Sequence, residues 1–433
     1  MLELGIIGAL FFFYALVSRA LVGANISAPM VFVTVGILCG PSVLGLLEFN
    51  VEGKAGLLIA EVALVIVLFS DAARSKVGDV RQEGSLPTRL LGIGMPLTIA
   101  AGTALAAVLL AGLNFWEGAV LAAVLAPTDA ALGHAVVSSK VVPERIRQAI
   151  NVEAGLNDGL SIPFLFLFLG LAVEQVETGA TGWLTFAVEQ IGIGTALGLA
   201  IGVAGGWLVQ RAIHSGAMTH TFKRLSMVGI AVAAWAFAGE LGGNGFIAAF
   251  VAGLAVARFR QDFGSPITDF AEREGQLLSL IVFFVFGTVA IGLLGSLTAG
   301  AAVFVLGSLS VLRMAPVAIA LAGSGLRRST IAFIGWFGPR GLASIILALV
   351  VVDEQPELPG LDLLLAVITL TVLASIFLHG FSARPLSMLY SKSLRKMDEH
   401  APEMMETEVT PGRSTYGPLS QAAEPRRPGR AKS

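Results

Sequence analysis

Five ionisable side chains stand near the middle of otherwise apolar stretches of this chain: Asp129, Glu153, Asp158, Arg313 and Arg340. Each stretch is long enough to cross a bilayer core as a helix. A charge at the centre of such a helix costs about 2.5–3.5 kcal/mol, so five unpaired charges would cost on the order of 15 kcal/mol. Groups of this kind face a bundle interior or a wet cavity and pair with one another. If all five paired, they would be structural glue. With three carboxylates and two arginines, however, one carboxylate has no arginine left to pair with. Glu153 and Asn157 are four residues apart and share a helix face. Asp158 follows Glu153 by five residues, about 140° round the helix at 100° per residue. One face can thus serve a structural pair while Asp158 looks into a cavity. A carboxylate in a partly desolvated pocket is neutralised either by a proton or by a small cation. A site that takes one or the other in turn is chemically an exchanger.

Two of these charges sit beside helix breakers. Ala126-Pro127-Thr128-Asp129 interrupts one stretch and Gly338-Pro339-Arg340-Gly341 another. Proline removes a helix hydrogen bond and clashes with the preceding turn. Ordinary kinks are one account of such breaks. The breaks fall in spans five and twelve, seven apart, as expected if spans 1–6 recur in inverted orientation as spans 8–13 about a linking span seven. Inverted repeats with broken helices at mid-membrane characterise secondary transporters. Asp129 would then suit a positive half-helix N-terminus and Arg340 a negative C-terminus.

The elements that must position these groups are helices throughout. Of the 433 residues, 55% are hydrophobic and 13% charged, against roughly 25% charged in soluble domains. The pattern predicts an all-α, polytopic membrane protein with thirteen spans at about 2–21, 27–46, 56–73, 90–111, 116–137, 146–173, 188–210, 225–241, 244–259, 275–294, 299–322, 329–352 and 361–390. No alternation of the β-barrel kind is visible. The first span is too long for a signal peptide and is expected to be retained. Loops after odd-numbered spans hold sixteen Lys and Arg, whereas those after even-numbered spans hold Lys54 alone and carry acids such as Glu117, Asp353 and Glu357. The positive-inside rule puts the N-terminus outside and the C-terminus in the cytoplasm, as for a cell (inner) membrane protein. Residues 1–390 form the membrane domain, and 391–433 are expected to be a short disordered tail. The 51 glycines suit close helix packing. The lone Cys39 excludes an intrachain disulfide, and the net charge of −2 gives no reason to expect a nucleic-acid partner. No nucleophile–base set, metal-ligand cluster or phosphate loop argues for an enzyme. A sodium-coupled solute carrier, or a membrane scaffold or sensor, would also explain the spans, but the scaffold would not explain the unpaired carboxylate.

In order and placement, Pro127-Thr128-Asp129, Asn151-Val152-Glu153-Ala154-Gly155-Leu156-Asn157-Asp158-Gly159, Arg313 and Gly338-Pro339-Arg340-Gly341 resemble the signatures of the cation:proton antiporter-1 family, the NhaP-type sodium/proton exchangers. Ser27-Ala28-Pro29 with Gly36, Gly40 and Pro41 is similar to its second span. The resemblance implies that Asp158 carries cation and proton in turn, with Thr128 and Asp129 lining the sodium site. It implies that Glu153 pairs with Arg313 and that Arg340 stabilises the crossing of the broken helices. Asn157, where some relatives carry a second aspartate, implies electroneutral 1:1 exchange. It further implies a homodimer, elevator-like movement of a six-helix core, Na+ or Li+ and H+ as substrates, and no cofactor; potassium is the alternative cation. Ala154 departs from the family's common serine. Asp71 loosely matches an acid of the third span, with a solvated loop carboxylate as the alternative. His134, five residues past Asp129, reads as a packed or cavity-rim histidine with a possible pH-sensing role.

Overall fold

The computed structural model describes residues 2–47, 54–74, 86–129, 132–137, 139, 141–177, 181–259, 266–354, 357–394 and 401–404. Among these every regular element is helical. In chain order they are α1 (Leu2–Gly23), α2 (Ala28–Cys39), α3 (Lys54–Arg74), α4 (Leu86–Leu109), α5 (Phe115–Val124), α6 (His134–Val137), α7 (Glu144–Glu177), α8 (Thr181–His214), α9 (His220–Glu240), α10 (Gly245–Phe259), α11 (Pro266–Leu293), α12 (Ala299–Ala320), α13 (Arg328–Trp336), α14 (Leu342–Glu354) and α15 (Leu361–Leu394). Among the described residues, eight helices are long and apolar enough to cross a membrane. The fifth expected span is divided into α5 and α6, and the twelfth into α13 and α14.

Local chemistry explains several helix ends. α2 stops at Gly40, extended at φ −67° and ψ 168°, because the residue before Pro41 is pushed out of the helical region. This span is therefore shorter than the 27–46 expected. α4 starts before residue 90 and contains a π segment, Leu90–Gly94, directly ahead of Pro96. An i→i+5 turn there accommodates the amide that proline lacks. α5 opens with a capping box: Asn114 Oδ1 accepts from the N–H groups of Trp116 and Glu117, and Glu117 Oε2 accepts from Asn114 N at 2.7 Å. Glu117 Oε1 also accepts from Gly360 N at 2.8 Å. Glu117, counted among the acids of an even-numbered loop, is a buried cap tying α5 to the start of α15. α12 is interrupted at Ser310, whose φ of −130° and ψ of −93° are not helical; the sequence pattern predicts it unbroken.

Two groups of helices emerge. α4, α6, α7, α12, α13 and α15 share one apolar cluster that includes Leu90, Val136, Ile150, Val317, Phe333 and Tyr390. α2, α3 and α8–α11 pack against one another elsewhere. In the second group Gly194, Gly198 and Gly202 repeat every four residues along α8. A Cβ at any of them would land on the backbone of Asn244, Ala248 or Ala252, the close helix approach that small residues permit in lipid. The groups meet through a large shared apolar cluster, with Phe32, Leu64, Ala248 and Phe284 on one side and Val120, Ile162, Leu347 and Val367 on the other, and through a smaller one of Ala72, Val152, Leu156 and Phe250 joining α3, α7 and α10. The boundary of the expected tail shifts as well. α15 continues to Leu394, and residues 401–404 are packed, Glu403 being 1% exposed. Residues 395–400 and 405–433 of that tail lie outside the described residues.

Candidate functional site

The two breaks meet. Asp129 N donates to the Pro339 carbonyl at 2.7 Å, so the two unwound segments are joined backbone to backbone. Asp129 Oδ2 accepts from Leu342 N at 2.8 Å, at the start of α14. Arg340 Nη1 donates to the carbonyls of Ala126 at 3.0 Å and Pro127 at 3.2 Å, just past the end of α5. Each half-helix end thus receives the charge that opposes its dipole, supplied by the other broken span. Ser344 Oγ adds a bond to the Val124 carbonyl at 2.8 Å. A Cβ on Gly341 would overlap Asp129 Oδ2, so only glycine leaves room for this cap. Arg340 is 1% exposed and Asp129 2%.

Beside the crossing, Glu153 and Arg313 form a two-pronged ion pair. Nη1 lies 2.6 Å from Oε1, and Nη2 donates to Oε2 at 2.7 Å. The pair bridges α7 and α12. A Cβ on Gly338 would come within 2.5 Å of Arg313 Nε and 3.1 Å of Thr128 Cγ2. The arginine and the threonine therefore flank the second break together. Asn157 Nδ2 donates to Thr128 Oγ1 at 2.8 Å, bringing α7 to the first break. Asn157 Oδ1 is buried and has no hydrogen-bond partner among the described residues, an orphan acceptor that costs about 1–3 kcal/mol when nothing satisfies it. Asp158 follows at 5% exposure, its carbonyl accepting from Ser161 Oγ at 2.7 Å. Gly159 has no room for a side chain because the Phe250 ring of α10 occupies that space. The turn carrying Asp158 thus lies where α7 meets the other helix group.

Of the residues singled out in the sequence, Thr128, Asp129, Glu153, Asn157, Arg313 and Arg340 are brought together at the crossing, and Asp158 is next in chain to Asn157. Asp71 is on α3, next in chain to Ala72, which packs with Val152 and Leu156 of α7, and at 6% exposure it is not the solvated carboxylate offered as an alternative. His134 opens α6, but its side chain lies outside the described part of the chain. Ala154 is buried at 3% exposure. A buried histidine escapes the count of five charges. His379 Nδ1 faces Ser375 Oγ at 3.1 Å, His379 Nε2 faces the Trp336 carbonyl at 3.0 Å, and Ser375 Oγ accepts from Arg340 N at 2.6 Å. This relay ties α15 to the end of α13 and to the second break. The spacing of Ser375 and His379, four apart within an apolar span, was the available signal.

Comparison with known proteins gives one family and one fold. The family described as sodium/hydrogen exchanger, transmembrane, matches residues 7–389. The chain is 26% identical over 393 residues to a protein named K(+)/H(+) antiporter NhaP from Alkalimonas amylolytica, covering 88% of this chain and 66% of that one. It is 25% identical over 360 residues to K(+)/H(+) antiporter NhaP2 from Shewanella baltica, covering 82% of this chain and 60% of the relative. The chain therefore spans just under two thirds of the length of these curated relatives. Its fold matches that of the sodium proton antiporter MjNhaP1 from Methanocaldococcus jannaschii with a TM-score of 0.74 at 20% identity, covering 90% of this chain and 99% of the other.

Proposed function

This chain belongs to the sodium/hydrogen exchanger family, and from that membership we propose that it exchanges sodium or lithium for protons, one for one, across a cell membrane. The observation that carries the proposal is the turn of α7 beside the crossing: Asp158 is a buried carboxylate, and the residue before it, Asn157, donates to Thr128 and leaves its own amide oxygen buried with no hydrogen-bond partner among the described residues. Asp158, Asn157 Oδ1 and Thr128 Oγ1 are hard oxygens of the kind an alkali cation takes. A cation there would satisfy the acceptor that otherwise has no partner. Asp129, whose carboxylate caps α14, is assigned to the wall of the proposed site. Glu153 and Arg313 neutralise each other and hold α7 to α12, and Asp158 is the residue assigned to alternate between cation and proton. Asp71 is an accessory candidate on α3.

In the proposed cycle, Asp158 releases its proton and takes a cation on one side, crosses neutralised, and reverses the exchange on the other side. One charge moves each way, so membrane potential, worth about 2.3 kcal/mol per charge per 100 mV, does no net work. We place the moving boundary of an elevator-like cycle between the core (α4–α7 and α12–α15) and the remaining helices, where Gly159 lies flat against the Phe250 ring. The loop charges support an external N-terminus and a cytoplasmic C-terminus. A homodimer is supported by α1, whose apolar window has none of its residues buried.

A second reading, potassium for proton, is favoured by the names of the relatives at 25–26% identity. Proton flux in proteoliposomes under sodium, lithium and potassium gradients, with the potential clamped, separates the two. Flux driven by sodium and lithium supports the first, and flux driven by potassium alone replaces it with the second. Asp158→Asn should abolish flux with every cation and leave the melting transition in place. Retained flux in that variant would remove Asp158 from the mechanism.

A further inference from the structure

The end of the core at which α7 and α13 begin carries a short segment from far down the chain. Residues Pro402–Met404 make one 3-10 turn, in which Glu403 is 1% exposed. Such burial of a glutamate is rare unless it is partnered. Glu403 Oε1 accepts from Arg327 N at 2.8 Å and from Thr330 Oγ1 at 2.9 Å. Tyr390 of α15 donates to the same threonine hydroxyl at 3.0 Å. Arg145, in the first turn of α7, donates to the Pro402 carbonyl. The Pro402 ring lies over Gly325, which has a φ of +80°.

The socket has a physical reason to want a carboxylate. α13 starts just after Arg327, whose side chain makes no capping bond. A helix start leaves N–H groups without partners and carries partial positive charge. Glu403 supplies, from 76 residues away, an acceptor for the Arg327 N–H and a negative charge at that helix start. The fit is incomplete, because Glu403 Oε2 is buried with no hydrogen-bond partner among the described residues. One desolvated oxygen offsets part of what the other gains.

We propose that residues 401–404 are a clasp. Seated on Arg145, Gly325, Arg327, Thr330 and Tyr390, it holds the start of α7 to the start of α13 and keeps the core in its fast-exchanging form. All five socket residues belong to the core or its connecting loop, so the clasp travels with the core and does not brace it against the other helices. The activity part of this proposal rests on the antiport reading, whereas the docking part does not.

The test uses the full chain with its single cysteine replaced, Cys39→Ala. A Cβ built on Gly325 lies 4.0 Å from that of Pro402, within disulfide range. Gly325→Cys with Pro402→Cys should cross-link on mild oxidation. Glu403→Ala should lower the melting temperature and slow exchange several-fold. Cross-linking should restore both in that variant, and a reductant should abolish the rescue. Met404→Ala, exposed in the same turn, should match the parent. The proposal is overturned if Glu403→Ala melts and exchanges like the parent. It is also overturned if the cross-linked protein stops exchanging, since that would make the segment a plug that has to leave. Should the cysteine pair fail to fold, Glu403→Ala and Thr330→Val must still be non-additive in melting, and additivity would refute docking. A parent that moves no cation would sink the antiport reading, with melting and cross-linking still deciding the clasp.

Discussion

Glu153→Gln removes one charge from the core and keeps nearly the same shape. Glu153 and Arg313 are 1% and 3% exposed, and their two contacts are 2.6 and 2.7 Å. Removing one partner of a buried pair strands the other, at a cost of about 3–5 kcal/mol. Arg313 has little else to turn to, because its Nε is already buried without a hydrogen-bond partner among the described residues. At about 2 °C per kcal/mol for a large chain, the melting temperature should fall by about 6–10 °C. The assay is thermal unfolding in detergent, paired with the ratio of sodium-, lithium- and potassium-driven flux in proteoliposomes. Melting should drop while the flux ratio stays put. Replacing both residues with leucine should recover much of the loss, since a buried pair exchanged for apolar groups of similar volume is often neutral. A Glu153→Gln protein that melts like the parent but has a new cation preference would refute the assignment and move Glu153 into the ion site.

Gly341→Ala should displace Asp129 from the start of α14, because the added Cβ would overlap Oδ2; loss of such a cap costs about 1–2 kcal/mol, and unchanged melting and exchange would count against the crossing as a fixed point. Asn157→Asp adds a second carboxylate beside Asp158 and should make exchange respond to an imposed membrane potential, read as a change in flux when the clamp is released. Flux indifferent to the clamp in that variant would dissociate Asn157 from electroneutrality. Thr128→Ala should raise the cation concentration needed for half-maximal flux more than it lowers the maximal rate, and the reverse pattern would argue against a hydroxyl in the cation shell.

Much of the site was legible because a charge inside a membrane helix is too costly to be incidental. Hydropathy located the spans, and the breaker motifs at Pro127 and Pro339 located the crossing. The pairing of Glu153 with Arg313, by contrast, came from family resemblance, since counting charges leaves several pairings possible. His379 was missed because a neutral histidine in an apolar span carries no obvious penalty, although its partners Ser375 and Trp336 fix it at the crossing.

The sequence alone decided that this chain is helical, membrane-spanning and broken twice at matching places, because apolar length and proline chemistry act locally. Tertiary structure alone decided which groups answer which helix ends. Asp129 caps a helix that begins at Leu342, Glu117 serves Gly360, and Glu403 serves Arg327. These partners are 213, 243 and 76 residues apart, and a hydrogen bond depends on a few tenths of an ångström in space, which spacing along the chain does not encode.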